Sequence, residues 1–305
     1  MTLDIVGMGE PLIELNQTRG ADGYLPGFGG DTSNATIAAA RCGARTGYVT
    51  ALGDDVFGRS LLDLWTREGV DASRVVIDGA AHTGIYFVTH GPQGHEFAYM
   101  RAGSAASRLS VAATPLDYVA GARALHVSAI SQAISPVAAD AVFAAIDAAR
   151  AAGRIVCYDT NLRLKLWPLR RARAIIHEAI RSADIARPGL DDAEQLTGLT
   201  DPDAIADFYL KLGVKIVALT LGKEGSLVAT AQRRARIGSI AVQAIDATGA
   251  GDAYDGAFLA EYLLTGDPFR AGRFANAAAA LSTTGYGAVA PLPTRAAVLK
   301  ALGEA

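Results

Sequence analysis

Short, mostly apolar runs recur along the chain at residues 3–6, 48–52, 124–127, 154–158, 184–186 and 215–220. Strict alternation of apolar and polar positions would mark strands with one wet face. Unbroken runs of this length instead fit parallel strands covered on both faces. Between them lie stretches of helical length and spacing at 32–42, 58–68, 136–152, 170–181 and 202–212. The alternation predicts an α/β fold: a doubly wound, mostly parallel sheet flanked by helices. The last third predicts two Ala-rich helices, 250–264 stopped by Gly266 and Pro268, and 269–283 stopped by Gly285 and Gly287.

Two segments break this rhythm. Residues 12–27 and 83–101 carry Gly, Tyr and Thr between short apolar runs and read as antiparallel strands, with a hairpin turn at 90–95. They predict a small β-sheet standing off the core as a lid within a single domain spanning 1–305. Apolar stripes at 12–15 and 85–88 cannot all be buried by so small a sheet. They predict a homo-oligomer joined through the lid.

Composition narrows the function. Half of the 305 residues are hydrophobic, 19% are charged and the net charge is −3, so neither nucleic acid nor an anionic membrane is an expected partner. Cys42 and Cys157 lack metal or redox spacing and read as small buried apolar groups. The five histidines show no metal spacing either. The opening residues lack the pattern of a signal peptide, and no apolar run approaches the ~20 residues of a membrane span, so a soluble, cytoplasmic protein is expected.

The most informative stretch is Asp246-Ala-Thr-Gly-Ala-Gly-Asp252 at the start of a predicted helix. Small residues there let a ligand approach the backbone. The unpaired N–H groups of the first turn, with the helix dipole behind them, favour an anion. Asp252 adds a carboxylate in the same turn, within reach of an attacking hydroxyl. Its place beside the positive helix end predicts a low pKa. A purely structural reading has Thr248 as the N-cap. A second stretch, Gly29-Gly30-Asp31-Thr32-Ser33-Asn34, is a di-glycine turn leading into a small-residue helix, with Asp31 and Asn34 offering hydrogen bonds to a polyol.

Together, and in this order, the two stretches resemble the C-terminal and N-terminal signatures of the ribokinase-like, or PfkB, carbohydrate kinases. The resemblance implies that Asp252 is the catalytic base and that Gly249, Ala250 and Gly251 form the anion hole. It also implies that Gly30, Asp31 and Asn34 bind the substrate hydroxyls. Leu219-Thr-Leu-Gly-Lys-Glu-Gly-Ser226 is similar to the family's nucleotide loop, which puts Thr220, Gly222 and Gly225 near ATP, and Asn276 matches a position near the adenine. The family's Asn-x-x-Glu element, associated with Mg²⁺, falls here on Gly189 and Asp192, so acidity survives only at Asp192. The resemblance implies ATP as co-substrate and Mg²⁺ carried with it, and leaves dependence on a monovalent cation open.

Three further segments resemble 2-keto-3-deoxygluconate kinases: Gly9-Glu-Pro-Leu-Ile-Glu14, Phe97-Ala-Tyr-Met-Arg101 onwards, and Asp159-Thr-Asn-Leu-Arg163 through Trp167. Tyr86, Tyr99, Arg101 and Arg163 are thereby expected over a sugar acid, both arginines free of protein carboxylates. The 285–289 loop lacks the acidic residue that some sugar-acid kinases carry. A fructokinase, ribokinase or nucleoside kinase, or a catalytically silent sugar-binding member of the family, therefore stays open.

Overall fold

The computed structural model describes residues 2–18, 23–91 and 94–304. These build an eight-stranded sheet. Its order is Thr46–Val49, Ile5–Met8, Ala124–Ser128, Ile155–Asp159, Ile185–Arg187 and Ile216–Thr220, then Ser226–Ala229 and Arg234–Ile237. The first six strands run parallel, and the last two add antiparallel at one edge. Alternate side chains of each parallel strand enter opposite cores. Val6, Leu125, Val156, Ala186 and Val217 pack on one side with the helices Pro136–Ala151, Leu169–Arg181 and Pro202–Leu212. Ile5, Ala124, Cys157, Ile185 and Ala218 pack on the other with Ala250–Thr265 and Pro268–Ser282. Both faces are dry, which is why these strands read as continuous apolar runs.

The run at 48–52 is not one strand. It divides at Thr50: Thr46–Val49 stays in the main sheet, while Ala51–Gly53 pairs in parallel with Val76–Asp78. The Val49 carbonyl accepts from Gly9 N–H at 3.3 Å and the Thr50 carbonyl from Val76 N–H at 3.0 Å, so neighbouring carbonyls serve different sheets.

The lid is a four-stranded sheet in the order Tyr24–Gly29, Leu12–Gln17, Ile85–Gly91, Gly94–Met100. Its outer pairings are antiparallel and its central pairing parallel. Residues 19–22 of the first predicted lid segment, and residues 92 and 93 of the predicted turn, lie outside the described residues. The apolar stripes expected on the surface are largely inside. Leu12, Ile13 and Val88 are buried because the central strands pack against the core and each other. Apolar side chains are exposed on the outer strands instead, at Tyr24, Leu25, Phe97, Tyr99 and Met100.

Candidate active site

A cleft of about 580 Å³ opens between the lid and the carboxyl ends of the parallel strands, where Asp159, Arg187 and Thr220 emerge. Open α/β sheets place ligands at this end, because strand ends and helix starts converge there. Two helix starts form its walls.

Gly30 caps the helix Asp31–Arg41 at φ 105°, and a Cβ there would stand 2.4 Å from the Glu10 carbonyl oxygen. Gly249 caps Ala250–Thr265 at φ 74°, with its missing Cβ 2.9 Å from Ala288 Cβ. Only glycine meets both demands at either position. The cap is thus Gly249 rather than Thr248, whose N–H and hydroxyl both donate to Asp246 Oδ1. The Ala250 N–H is partly occupied by the Ala247 carbonyl at 3.2 Å. The Gly249, Gly251 and Asp252 N–H groups have no acceptor among the described residues, so of the three amides expected to meet an anion Gly249 and Gly251 are open, and Asp252 adds a third.

The two signatures meet at Asp252. Asn34 Nδ2 donates to Asp252 Oδ2 at 2.8 Å, and Asn161 Nδ2 donates to Asp31 Oδ2 at 2.9 Å. Their helices can approach because Gly256 faces the first one: a Cβ on it would stand 2.1 Å from the Ala35 carbonyl oxygen. Burial pushes the Asp252 carboxyl up to about 8, the Asp31 carboxylate adds to the rise, and the Asn34 amide pulls the other way. The low value expected from the helix end is therefore reversed. Desolvation and a like charge outweigh a helix terminus, whose influence is typically ~0.3–1 kcal/mol. The outcome is a carboxyl that holds its proton more tightly than the helix end alone would allow.

At the lid end, Tyr86 lines the cleft, its hydroxyl donates to Glu14, and it stacks on Tyr99 with centroids 5.7 Å apart. Tyr99 in turn lies 5.5 Å from the Arg101 guanidinium carbon. Arg101 is not free of protein carboxylates as expected: it pairs with the buried Glu10, which also accepts from Ser104 Oγ at 2.6 Å. Burial pushes the Glu10 carboxyl up even so. Arg163, by contrast, donates only to the Leu162 carbonyl. It and Lys165 line the cleft without an ion pair among the described residues.

On the nucleotide side, Thr220 and Asp192 line the cleft. Asp192 Oδ2 accepts from Leu162 N–H at 2.9 Å and so holds the Arg163 loop, and burial pushes its carboxyl up. Gly222, Gly225 and Asn276 are not among the lining residues. Gly225 is a turn glycine at φ 99° packed against the Ile237 carbonyl. Asn276 is buried and donates to that same carbonyl at 2.9 Å, fastening helix to edge strand. No group of three His, Cys, Asp or Glu able to cage a metal occurs among the described residues. Asp192 has one carboxyl oxygen without a hydrogen bond, which suits a single contact to a magnesium ion brought in with nucleotide phosphates.

Sequence reasoning passed over Asn161, Glu10, Asp159 and Arg187. All four lie in stretches that carry the resemblance, but only the fold shows that they line the cleft. No helix among the described residues is long and apolar enough to cross a membrane.

Residues 18–295 match the pfkB family carbohydrate kinase. The chain is 37% identical to 2-dehydro-3-deoxygluconokinase from Thermoproteus tenax, covering 98% of this chain and 95% of the relative. It is 34% identical to Fructokinase-2 from Solanum habrochaites, over 98% and 95%. The structure of a fructokinase with bound ATP from Xylella fastidiosa superposes with a TM-score of 0.92 at 25% identity, covering 100% of this chain and 99% of that one. The ligand-facing helix starts, the Asn34–Asp252 contact and these likenesses agree: the chain belongs to the pfkB family of carbohydrate kinases, and it is a sugar kinase.

Proposed function

We propose that the enzyme transfers the terminal phosphoryl group of ATP to the terminal hydroxyl of a sugar acid of the 2-dehydro-3-deoxy-D-gluconate type, giving the 6-phosphate. The observation that carries this reading is the pair Arg163 and Lys165, two cations that line the cleft without an ion pair among the described residues, the Arg163 charge acting on Asp192 and Asp252 from a distance. A planar guanidinium fork suits a substrate carboxylate. Gly30, Asp31 and Asn34 hold the polyol under the lid rings of Tyr86 and Tyr99. Asp252 orients the attacking hydroxyl and takes its proton as the new O–P bond forms and the β–γ bridging O–P bond of ATP breaks. The N–H groups of Gly249, Gly251 and Asp252 meet the charge on the transferred group, which is where most catalysis of phosphoryl transfer arises.

Arg163→Ala is expected to weaken a sugar acid by roughly ten- to a hundred-fold, the worth of a charge-assisted hydrogen bond, with KM for ATP unchanged. Kinetics over a panel of sugar acids, neutral ketoses and nucleosides tests the reading. Fructose turned over as well as the acid would sink it. A neutral ketohexose is the second reading, and one observation favours it: Glu10 already neutralises Arg101, the cation expected at the lid to meet a carboxylate.

The lid bears on assembly as well. Tyr24, Leu25 and Met100, outside the cleft lining, expose apolar surface on its outer strands, and a second copy of the chain is the proposed cover. A dimer is expected by light scattering at micromolar concentration, and a sharply monomeric species would contradict it.

A further inference from the structure

The floor of the cleft holds a cation that the reading above does not use. Arg187 ends its strand directly beside Asp159 in the parallel register. It is only 2% exposed, yet it lines the cleft. Its guanidinium is fixed from three sides. Nε donates to Asp255 of the helix Ala250–Thr265, Nη1 donates to the Ala218 carbonyl, and the guanidinium carbon lies 4.1 Å from the centroid of the Tyr254 ring. Nη2 has no hydrogen-bond partner among the described residues. A buried guanidinium normally satisfies its donors, so a rigid fork with one nitrogen left over at a cleft wall marks a place for an acceptor.

The neighbourhood says which acceptor. The Arg187 strand leads into Gly189, which bridges to Thr220, and both line the same wall as Gly249 and Gly251. The fork therefore opens on the same cleft as Thr220 and the unpaired amides at the start of the helix Ala250–Thr265. A polyphosphate entering the cleft needs a fixed opposing charge, and Arg163 and Lys165, assigned above to the substrate carboxylate, are not fixed by an ion pair among the described residues. Arg101 cannot supply one, being held by Glu10 in the lid. Asp255 offsets the cost of burying the Arg187 charge and, with Tyr254, holds the fork still.

We propose that Arg187 binds the β/γ-phosphate end of the donor, Nη2 donating to a non-bridging phosphate oxygen, with Asp255 and Tyr254 as positioning residues. The proposal rests on ATP as the donor. Arg187→Lys keeps the charge and the reach to Asp255 but loses the fork. Titration calorimetry with AMP, ADP, ATP and inorganic pyrophosphate on the folded variant reads the effect. ADP, ATP and pyrophosphate should each weaken ten- to a hundred-fold, as for one charge-assisted hydrogen bond, while AMP and the sugar change less than about twofold. A merely structural ion pair would lower the melting temperature and leave every affinity unchanged, which overturns the proposal. Equal weakening of AMP and ADP overturns it too. Should Arg187→Lys fail to fold, Asp255→Asn leaves the arginine in place without its anchor. The same contrast between AMP and ADP, in smaller measure, is then expected, and no contrast overturns the proposal. A wild-type protein that binds pyrophosphate but no adenine nucleotide would refute ATP as the donor while leaving the Arg187 comparison on pyrophosphate intact.

Discussion

Asp252→Asn should lower kcat by about 10²–10⁴-fold, the usual worth of a general base, while KM for sugar and nucleotide moves little. The substitution is nearly silent in shape. An asparagine oxygen can still accept from Asn34 Nδ2, where Asp252 Oδ2 now accepts at 2.8 Å, and the amides of the anion hole are untouched. What disappears is the group proposed to receive the hydroxyl proton. The loose transition state of phosphoryl transfer lets the proton leave late, so the carboxylate's orienting role and its basicity are lost together. Near-normal turnover in this variant would remove Asp252 from the mechanism.

Gly249→Ala attacks the other half of the machinery. A side chain at φ 74° costs about 1–2 kcal/mol on conformation alone. The new Cβ also meets Ala288 at 2.9 Å for its Cβ and 3.0 Å for its Cα, so the helix start or the Ala288 loop must move. Losing oxyanion-type donors typically costs about 10²–10³-fold in kcat, and a fall of that size is expected, with a melting temperature lower by a few degrees. Wild-type turnover in Gly249→Ala would show that this turn is not the anion hole.

The sheet was legible because its strands are dry on both faces. The edge strand Arg234–Ile237 was not, because Arg234 and Arg236 alternate outward and imitate a polar loop. The glycine-rich helix starts were legible because only glycine tolerates those backbones. Partnerships across the chain were not. Nothing local in Glu10 or Arg101 says that they pair with each other, and nothing near Asn276 says that its amide is spent on Ile237. The reversal at Asp252 has the same origin. The helix end that lowers its pKa can be read from seven residues, but the burial and the Asp31 charge that raise it come from a segment over two hundred residues away.

That reversal also gives the central claim its most direct measurement, the pH profile of the wild type and of Asp252→Asn with both substrates well below saturation. Under that condition the rate reports groups of the free enzyme. The carboxylate is the working form and its pKa is pushed up to about 8, so the base is protonated below that pH and ionised above it. The wild-type rate is therefore expected to rise about tenfold per pH unit on the acid side and to level off above about 8, whereas the residual rate of Asp252→Asn should lack this inflection. An inflection near 8 that persists in the variant, or a wild-type rate flat between pH 6 and 8, would contradict the assignment of Asp252 as the base.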